Sequence, residues 1–512
     1  MQQLSPQDAQ FLYMETENNL THVTSITIFD PSTVPGKKVV RFKDIIAHVE
    51  ERLAMSPMLR RKLVRVPLEL DYPYWVDDDY FDLEYHMRHS RLPAPGDWRQ
   101  FCIHMARYHS RPLDMNKPLW EMYVVEGLDS VEGLSPGCYA VCIKVHHAAV
   151  DGASMMRFLL SLVDIDNRGT PVMPMEAPDE EESPRPSLRD MARRAAGNNL
   201  RSPVRIADAL LKNTPGMYEA ARSRLRGRRA PGSAVPMTRF NRKVSPHKMF
   251  DAVTFDLDDF KEIRKLVPGS TINDVVLAVC SGALRRYLIH HGELPPESLV
   301  AWVPINKRSA DAAEAPGNNI TAMTASIHTD EADPVARLEQ IFASTADSKE
   351  AKSGMSARVM TDITQHVPAA TQVLASRLIL QASQSVRVCN LFVSNVPGPQ
   401  FPLYMNGAQQ VASYGMAPLG DGMGLFIATP SYDGRMAFNV ISSREIMPDI
   451  RFFIECIEAS HAELMALCRP KKRTRKAATM PPKKKPAAKK KAPAKNKTAA
   501  SKTAASKRKR TK

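Results

Sequence analysis

The 512-residue chain has no Cys-x-x-Cys pair, and its seven cysteines are odd in number and scattered at 102, 138, 142, 280, 389, 456 and 468. A disulfide framework is therefore not expected, and reduced thiols in a cytosolic protein are. No uninterrupted apolar stretch reaches the roughly 18 residues of a membrane span. The opening Met1 to Asp8 lacks both the basic segment and the apolar core of a signal peptide, so any membrane contact should be peripheral. No glycine-rich turn marks a dinucleotide domain, and the usual zinc motifs are missing. We read no Gly-x-Ser-x-Gly nucleophile elbow, which speaks against a lipase-type serine mechanism.

Acidic residues are also missing where the charge is greatest. The formal net charge is +15, but residues 471–512 hold 19 Lys or Arg and no Asp or Glu, leaving 15 − 19 = −4 for the remaining 470. The body is mildly acidic and the basicity belongs to a tail. That tail is Lys, Ala, Pro, Thr and Ser with almost nothing apolar beyond Ala and Met480. It should be disordered in isolation, because it cannot offset the entropy of ordering.

What is present centres on His146 and His147, followed by Ala148, Ala149, Val150, Asp151 and Gly152, at the end of an apolar run from Gly137 to Val145. Adjacent strand residues point to opposite faces. His147 thus shares a face with Tyr139, Val141, Ile143 and Val145, and His146 with Cys142 and Lys144. An imidazole in an apolar wall tends to stay neutral and can accept a proton, which suits a general base facing an enclosed substrate. A hydrogen-bonded core histidine is the plainer alternative. Metal binding is not expected, since the two rings diverge and no third His or Cys stands at ligand spacing.

Mixed α/β order runs along the chain. Residues 1–170 read as one unit, with strands at Thr24–Phe29, Val124–Gly127 and Gly137–His147, and helices at Phe42–Leu63, Trp98–Ser110 and Ser154–Val163. Residues 171–240 read as an Arg-rich connection with short helices at Leu200–Leu211 and Met217–Leu225. Residues 241–468 form a second unit. A helix opens at Thr271, whose hydroxyl can cap together with Asp274. Strands are expected at Leu299–Ile305, Ile320–His328, Asn390–Val396, Leu425–Ala428 and Met436–Ile441. Residues 469–512 are the tail.

Further motifs then join the histidines in order. They are Leu4-Ser5-Pro6-x-Asp8-x-x-Phe11, Asp82-Leu83-x-Tyr85-His86-x-Arg88-His89, Leu92 to Gly96 and Pro118-Leu119-Trp120. In the second half come Asn273 to Ala278, Val303-Pro304, Gly317-Asn318-Asn319 and Ser394 to Pro399. From about residue 4 to 468 the chain resembles the bacterial wax ester synthase/acyl-CoA:diacylglycerol acyltransferase family. The resemblance implies an α/β fold of mixed sheets, with two chloramphenicol-acetyltransferase-like domains around a central tunnel. It implies transfer of a long-chain acyl group from acyl-CoA to a fatty alcohol or diacylglycerol. No cofactor is expected, acyl-CoA being a substrate.

By the same resemblance His147 is the base and His146 supports the local structure. Asp151 orients the loop through a charged partner, for which Arg308 is a candidate, and Gly152 permits the tight backbone. Asn273 is the side-chain candidate for an oxyanion donor or positioning group. Asp274 reads as a cap or a channel residue, and Pro118, Leu119 and Trp120 as packing or channel lining. Where the family commonly has Val-Pro-Val-Ser, this chain has Val303-Pro304-Ile305-Asn306.

Two other readings stand beside this one. A condensation-type acyltransferase would use a carrier-bound donor. A polyanion-binding protein would act through the basic tail, which suits an anionic membrane or lipid-body surface and, through counterion release, non-specific DNA. The expected location is cytoplasmic, peripheral at the inner membrane or lipid bodies.

Overall fold

The computed structural model describes residues 2–36, 39–53, 56–149, 158–168, 187–225, 235–305, 321–350, 366–382 and 387–468. The earlier part supplies strands β1 (Gln2–Gln3), β2 (His22–Asp30), β3 (Arg61–Val64), β4 (Tyr74–Asp77), β5 (Met87–Arg91), β6 (Trp120–Glu126) and β7 (Tyr139–His146). With them come helices α1 (Pro6–Met14), α2 (Phe42–Arg52), α3 (Leu83–His86) and α4 (Trp98–His109). Then follow α5 (Leu188–Leu225), β8 (Lys248–Asp256), α6 (Leu257–Ile263), α7 (Ile272–His290), β9 (Val300–Ile305), β10 (Thr321–Ser326), α8 (Pro334–Glu350) and α9 (Ala369–Ala382). The last elements are β11 (Leu391–Pro397), β12 (Tyr404–Met405), β13 (Ala408–Met416), β14 (Leu425–Tyr432), β15 (Arg435–Ser443) and α10 (Ile450–Cys468).

Two six-stranded mixed sheets carry the architecture, ordered β12-β13-β2-β7-β6-β5 and β10-β9-β11-β14-β15-β8, beside a small β1-β4-β3 sheet. In the first sheet β7 runs antiparallel to both neighbours, β2 and β6. Its two faces serve two cores, as the period of two requires. Tyr139, Val141, Ile143 and Val145 pack with Ile45 and Val49 of α2. Ala140 and Cys142 pack with Phe101 and Met105 of α4, in a core that extends to α7 and the second sheet.

The second sheet is organised by α7. Asp274 accepts hydrogen bonds from the Thr271 amide and hydroxyl, both at 2.7 Å, which closes the capping box expected there. Val275 through Cys280 are all fully buried, so this helix is a core element rather than a surface amphipath. Gly282 lets α10 approach, since a Cβ there would lie 2.2 Å from Ser460 Oγ.

Three expectations need correction. The helical spacing of 42–63 ends with α2, and Pro57–Arg60 is a 3₁₀ turn that feeds strand β3. Pro57 has no N–H to donate, so it opens a new turn rather than continuing a helix. The two short helices of the connection are a single helix, α5. The 241–468 block is not self-contained, because β12 and β13 leave it and complete the first sheet against β2. The tail at 469–512 lies outside the described residues.

Candidate active site

The strand β7 ends at His146, and His147 begins the turn that follows. The pairing of His22 with His146 is extended one step by the His147 amide, which donates to the Thr21 carbonyl at 2.9 Å. The backbone of the motif is therefore fixed to the sheet up to His147.

The two imidazoles have different surroundings. His146 is fully buried, and its Nδ1 accepts from the Ala148 amide at 3.0 Å. Its Nε2 must then carry the hydrogen, and it points at Glu15 Oε2 (3.0 Å) and Thr21 Oγ1 (3.1 Å). Both nitrogens of His146 are thus engaged within the protein. His147 is half-buried and stacks on Phe11, the ring centroids 4.0 Å apart and the planes 9° from parallel.

A charged and polar layer lies behind His146. Lys144, with no exposed surface, sits 3.2 Å from Glu121 and donates to the Arg111 carbonyl at 2.9 Å. Burial draws its pKa below the ordinary lysine value, and Glu121 opposes that fall. His22 and His109 are buried beside it, and desolvation holds His109 down at about 3.

On the other face of β7, an apolar cavity of about 70 Å³ lies between the two sheets. Val141 and Ile143 form one wall, Leu159 and Val163 another, and Val396, Pro399 and Tyr432 close it from the second sheet. Ser25, Thr27 and Ser413 supply a small polar floor. Ile143 is four residues before His147, about 14 Å along the strand at the usual rise.

The sequence Gly133-Leu134-Ser135-Pro136-Gly137 does contain the Gly-x-Ser-x-Gly letters, which corrects our reading that the pattern was missing. It is not an elbow, for it is a turn leading into β7, with no helix after it. Ser135 donates to the Asp30 carboxylate at 2.8 Å rather than to a histidine. The cysteines are no better as nucleophiles. Burial pushes the Cys138 and Cys456 thiols up to about 11.

Residues 4–276 match the wax ester synthase/diacylglycerol acyltransferase catalytic domain, and residues 316–465 match the C-terminal domain of the same family. The chain belongs to this family. A protein of Mycobacterium tuberculosis, provisionally named a diacylglycerol O-acyltransferase, is 34% identical over 455 residues, covering 88% of this chain and 87% of its own length. The O-acyltransferase WSD of Acinetobacter baylyi is 31% identical over 470 residues, covering 90% of this chain and 96% of its own. The wax ester synthase/diacylglycerol acyltransferase of Marinobacter aquaeolei superposes with a TM-score of 0.62 at 25% identity, covering 91% of this chain and 99% of that one.

Within the wax ester synthase/diacylglycerol acyltransferase frame, the expected site residues separate. His147 directly follows β7, whose Val141 and Ile143 line the cavity, but it is not itself among the lining residues. Asn273 is half-buried in the first turn of α7. Like His147 and Asn273, the residues Asp274, Pro118, Leu119 and Trp120 are not among those lining this cavity. Asp274 is spent on the cap and on the Thr345 hydroxyl at 2.7 Å. Pro118 is buried, and Leu119 packs with Leu4, Trp75 and Ala148. Trp120 donates to the Leu59 carbonyl at 2.8 Å and stacks on His86. From the Ser394–Pro399 run, Val396, Gly398 and Pro399 do reach the cavity.

Asp151, Gly152 and Arg308 lie outside the described residues. Phe11, Glu15 and Thr21 are the neighbours of the histidine pair that the sequence reading did not assign. The signal for them was the opening motif, which carries Phe11 at its end.

Proposed function

We propose that this chain moves a long-chain acyl group from acyl-CoA to the hydroxyl of a fatty alcohol or diacylglycerol, with His147 as the general base. The observation that carries the reading is the match to the family's catalytic domain, with His147 directly after β7, whose Val141 and Ile143 wall an apolar cavity between the sheets. An alkyl chain laid along Val141 and Ile143 would bring its polar end toward the imidazole. His147 takes the hydroxyl proton, and the oxygen attacks the thioester carbonyl. The tetrahedral intermediate collapses with cleavage of the C–S bond, and the imidazolium returns its proton to the departing thiolate. Base catalysis of this kind typically contributes about 10²–10⁴-fold, with positioning and oxyanion donors adding to it. Asn273 is our candidate for such a donor, and Asp151 for the group that orients the loop.

The experiment is an assay of purified protein with palmitoyl-CoA and either hexadecanol or dipalmitoylglycerol. Formation of either ester without a carrier protein supports the reading, and the ratio of rates gives the preferred acceptor. Turnover only with a carrier-bound donor would replace it with the condensation-type alternative.

The second part of the proposal concerns place. No helix among the described residues is long and apolar enough to cross a membrane. We assign attachment to the basic residues of 471–512, each worth roughly 1 kcal/mol close to an anionic leaflet. Deleting 471–512 should weaken binding to phosphatidylserine vesicles and leave turnover in detergent intact. Retained vesicle binding with lost DNA binding would transfer the tail to nucleic acid, steeply salt-dependent as such tails are.

A further inference from the structure

We propose that Phe11 and Thr21 form a clamp that positions the imidazole of His147 for proton transfer. The inference rests on the reading of His147 as the base and gives the opening motif a physical task.

The clamp begins with the cap of α1. The Asp8 amide donates to Ser5 Oγ at 3.1 Å, and the Ser5 hydroxyl donates to Asp8 Oδ2 at 2.6 Å. Pro6 occupies the first helical position, where its missing N–H costs nothing. Leu4, Ala9, Leu12 and Tyr13 anchor the helix in a core with Trp75, Leu119 and Ala148. Ala148 is the residue after His147, so the same core holds both partners of the stack. Phe11 is thereby presented flat against His147, with a centroid separation of 4.0 Å.

Thr21 fixes the distance between the two. Its hydroxyl donates to the Phe11 carbonyl at 2.9 Å, and its own carbonyl accepts the His147 amide at 2.9 Å. A hydroxyl has one hydrogen to give. Having given it to Phe11, Thr21 Oγ1 accepts from His146 Nε2, whose other partner is Glu15. One threonine thus ties the end of α1, the end of β7 and the supporting histidine, with every donor direction determined.

Turning the His147 side chain about χ1 or χ2 would break the stack on Phe11. With Phe11 covering one face, the His147 ring keeps its plane, and both nitrogens stay in that plane. The aromatic face also favours the positive charge that the imidazole acquires when it takes the proton. Both effects act more on the transition state than on the bound substrate, so their loss should fall on kcat.

The test compares Phe11→Leu with Phe11→Tyr, and Thr21→Val with Thr21→Ser, in the full-length protein with palmitoyl-CoA and the better acceptor. Phe11→Leu and Thr21→Val should lower kcat about threefold to tenfold, with KM within about twofold of wild type. Phe11→Tyr and Thr21→Ser should recover most of the loss. Melting temperatures accompany each measurement, and Phe11→Met stands in for Phe11→Leu should the latter melt early. A well-folded Phe11→Leu protein with wild-type kcat, or a loss confined to KM, overturns the clamp. If His147→Ala is inactive in the same assay, that failure leaves the base in place. Wild-type turnover in His147→Ala overturns base and clamp together.

Discussion

Lys144 lies two residues before His146 on β7, with its ammonium 3.2 Å from the Glu121 carboxylate on the neighbouring strand β6. The lysine side chain has no exposed surface, while Glu121 is partly exposed. The carbonyls of Tyr108 and Arg111 and the face of Tyr108 complete its surroundings. Removing the carboxylate would leave a buried cation without its counter-charge. Glu121→Gln should therefore destabilise the fold by about 3 kcal/mol. Lys144→Met should cost less, because the partly exposed Glu121 can turn to water. Urea midpoints decide the order, and a larger loss in Lys144→Met would contradict it.

The histidines beside Lys144 give stability a pH dependence. His22 Nε2 meets the His109 carbonyl at 2.5 Å, and His109 Nδ1 meets Thr24 Oγ1 at 2.8 Å. Burial, and after it the neighbouring positive groups, hold His22 well below its ordinary value and His109 at about 3. Below the unfolded value of about 6.5 the unfolded chain binds protons that the folded one refuses. Stability is therefore full above roughly pH 6.5 and falls by about 1.4 kcal/mol per unit for each such histidine as the pH drops. Thermal melts between pH 7.5 and 5 should show this slope, and His109→Gln should reduce it. An unchanged slope in that variant would remove His109 from the account.

Asp274 provides a stability test that separates capping from catalysis. Its carboxylate serves Thr271 and Thr345. Asp274→Ala should cost about 1–2 kcal/mol, typical of a lost cap, and any fall in activity should track the folded fraction. A fully folded variant with collapsed kcat would instead place Asp274 at the reacting centre.

Cavity size offers a test of substrate length. Ser413, paired with Thr27 across β13 and β2, faces the apolar space between the sheets. Ser413→Phe should fill much of the 70 Å³ cavity, lowering turnover with hexadecanol more than with a short-chain alcohol. Equal effects on both chain lengths would place the alkyl chain elsewhere.

Much of this arrangement was legible in the sequence, and the exceptions have physical reasons. The alternation along Tyr139 to Val145 correctly divided the strand's two faces, because the period of two is local to the strand, whereas His147 lies in the turn beyond it. The cap at Thr271 and Asp274 was readable for the same reason, being local. Pairing of β13 with β2 was not, since its residues, Ala408 to Met416, carry a weak strand pattern and gain their place only from a distant partner. The helical spacing beyond α2 misled because Pro57 and the pairing of β3 with β4 override it. The stack of Phe11 on His147 joins residues far apart in the chain, and no spacing rule announces such a contact. The letters at Gly133–Gly137 show the converse: a local pattern carries chemistry only when the elements around it are the right ones.

The most direct test of the central claim compares wild type with His147→Ala for ester formation from palmitoyl-CoA and a fatty alcohol or diacylglycerol. With His147 as the base, kcat should fall about 10²–10⁴-fold, with the melting temperature within a few degrees of wild type. Wild-type turnover in the variant would show that His147 is not the base.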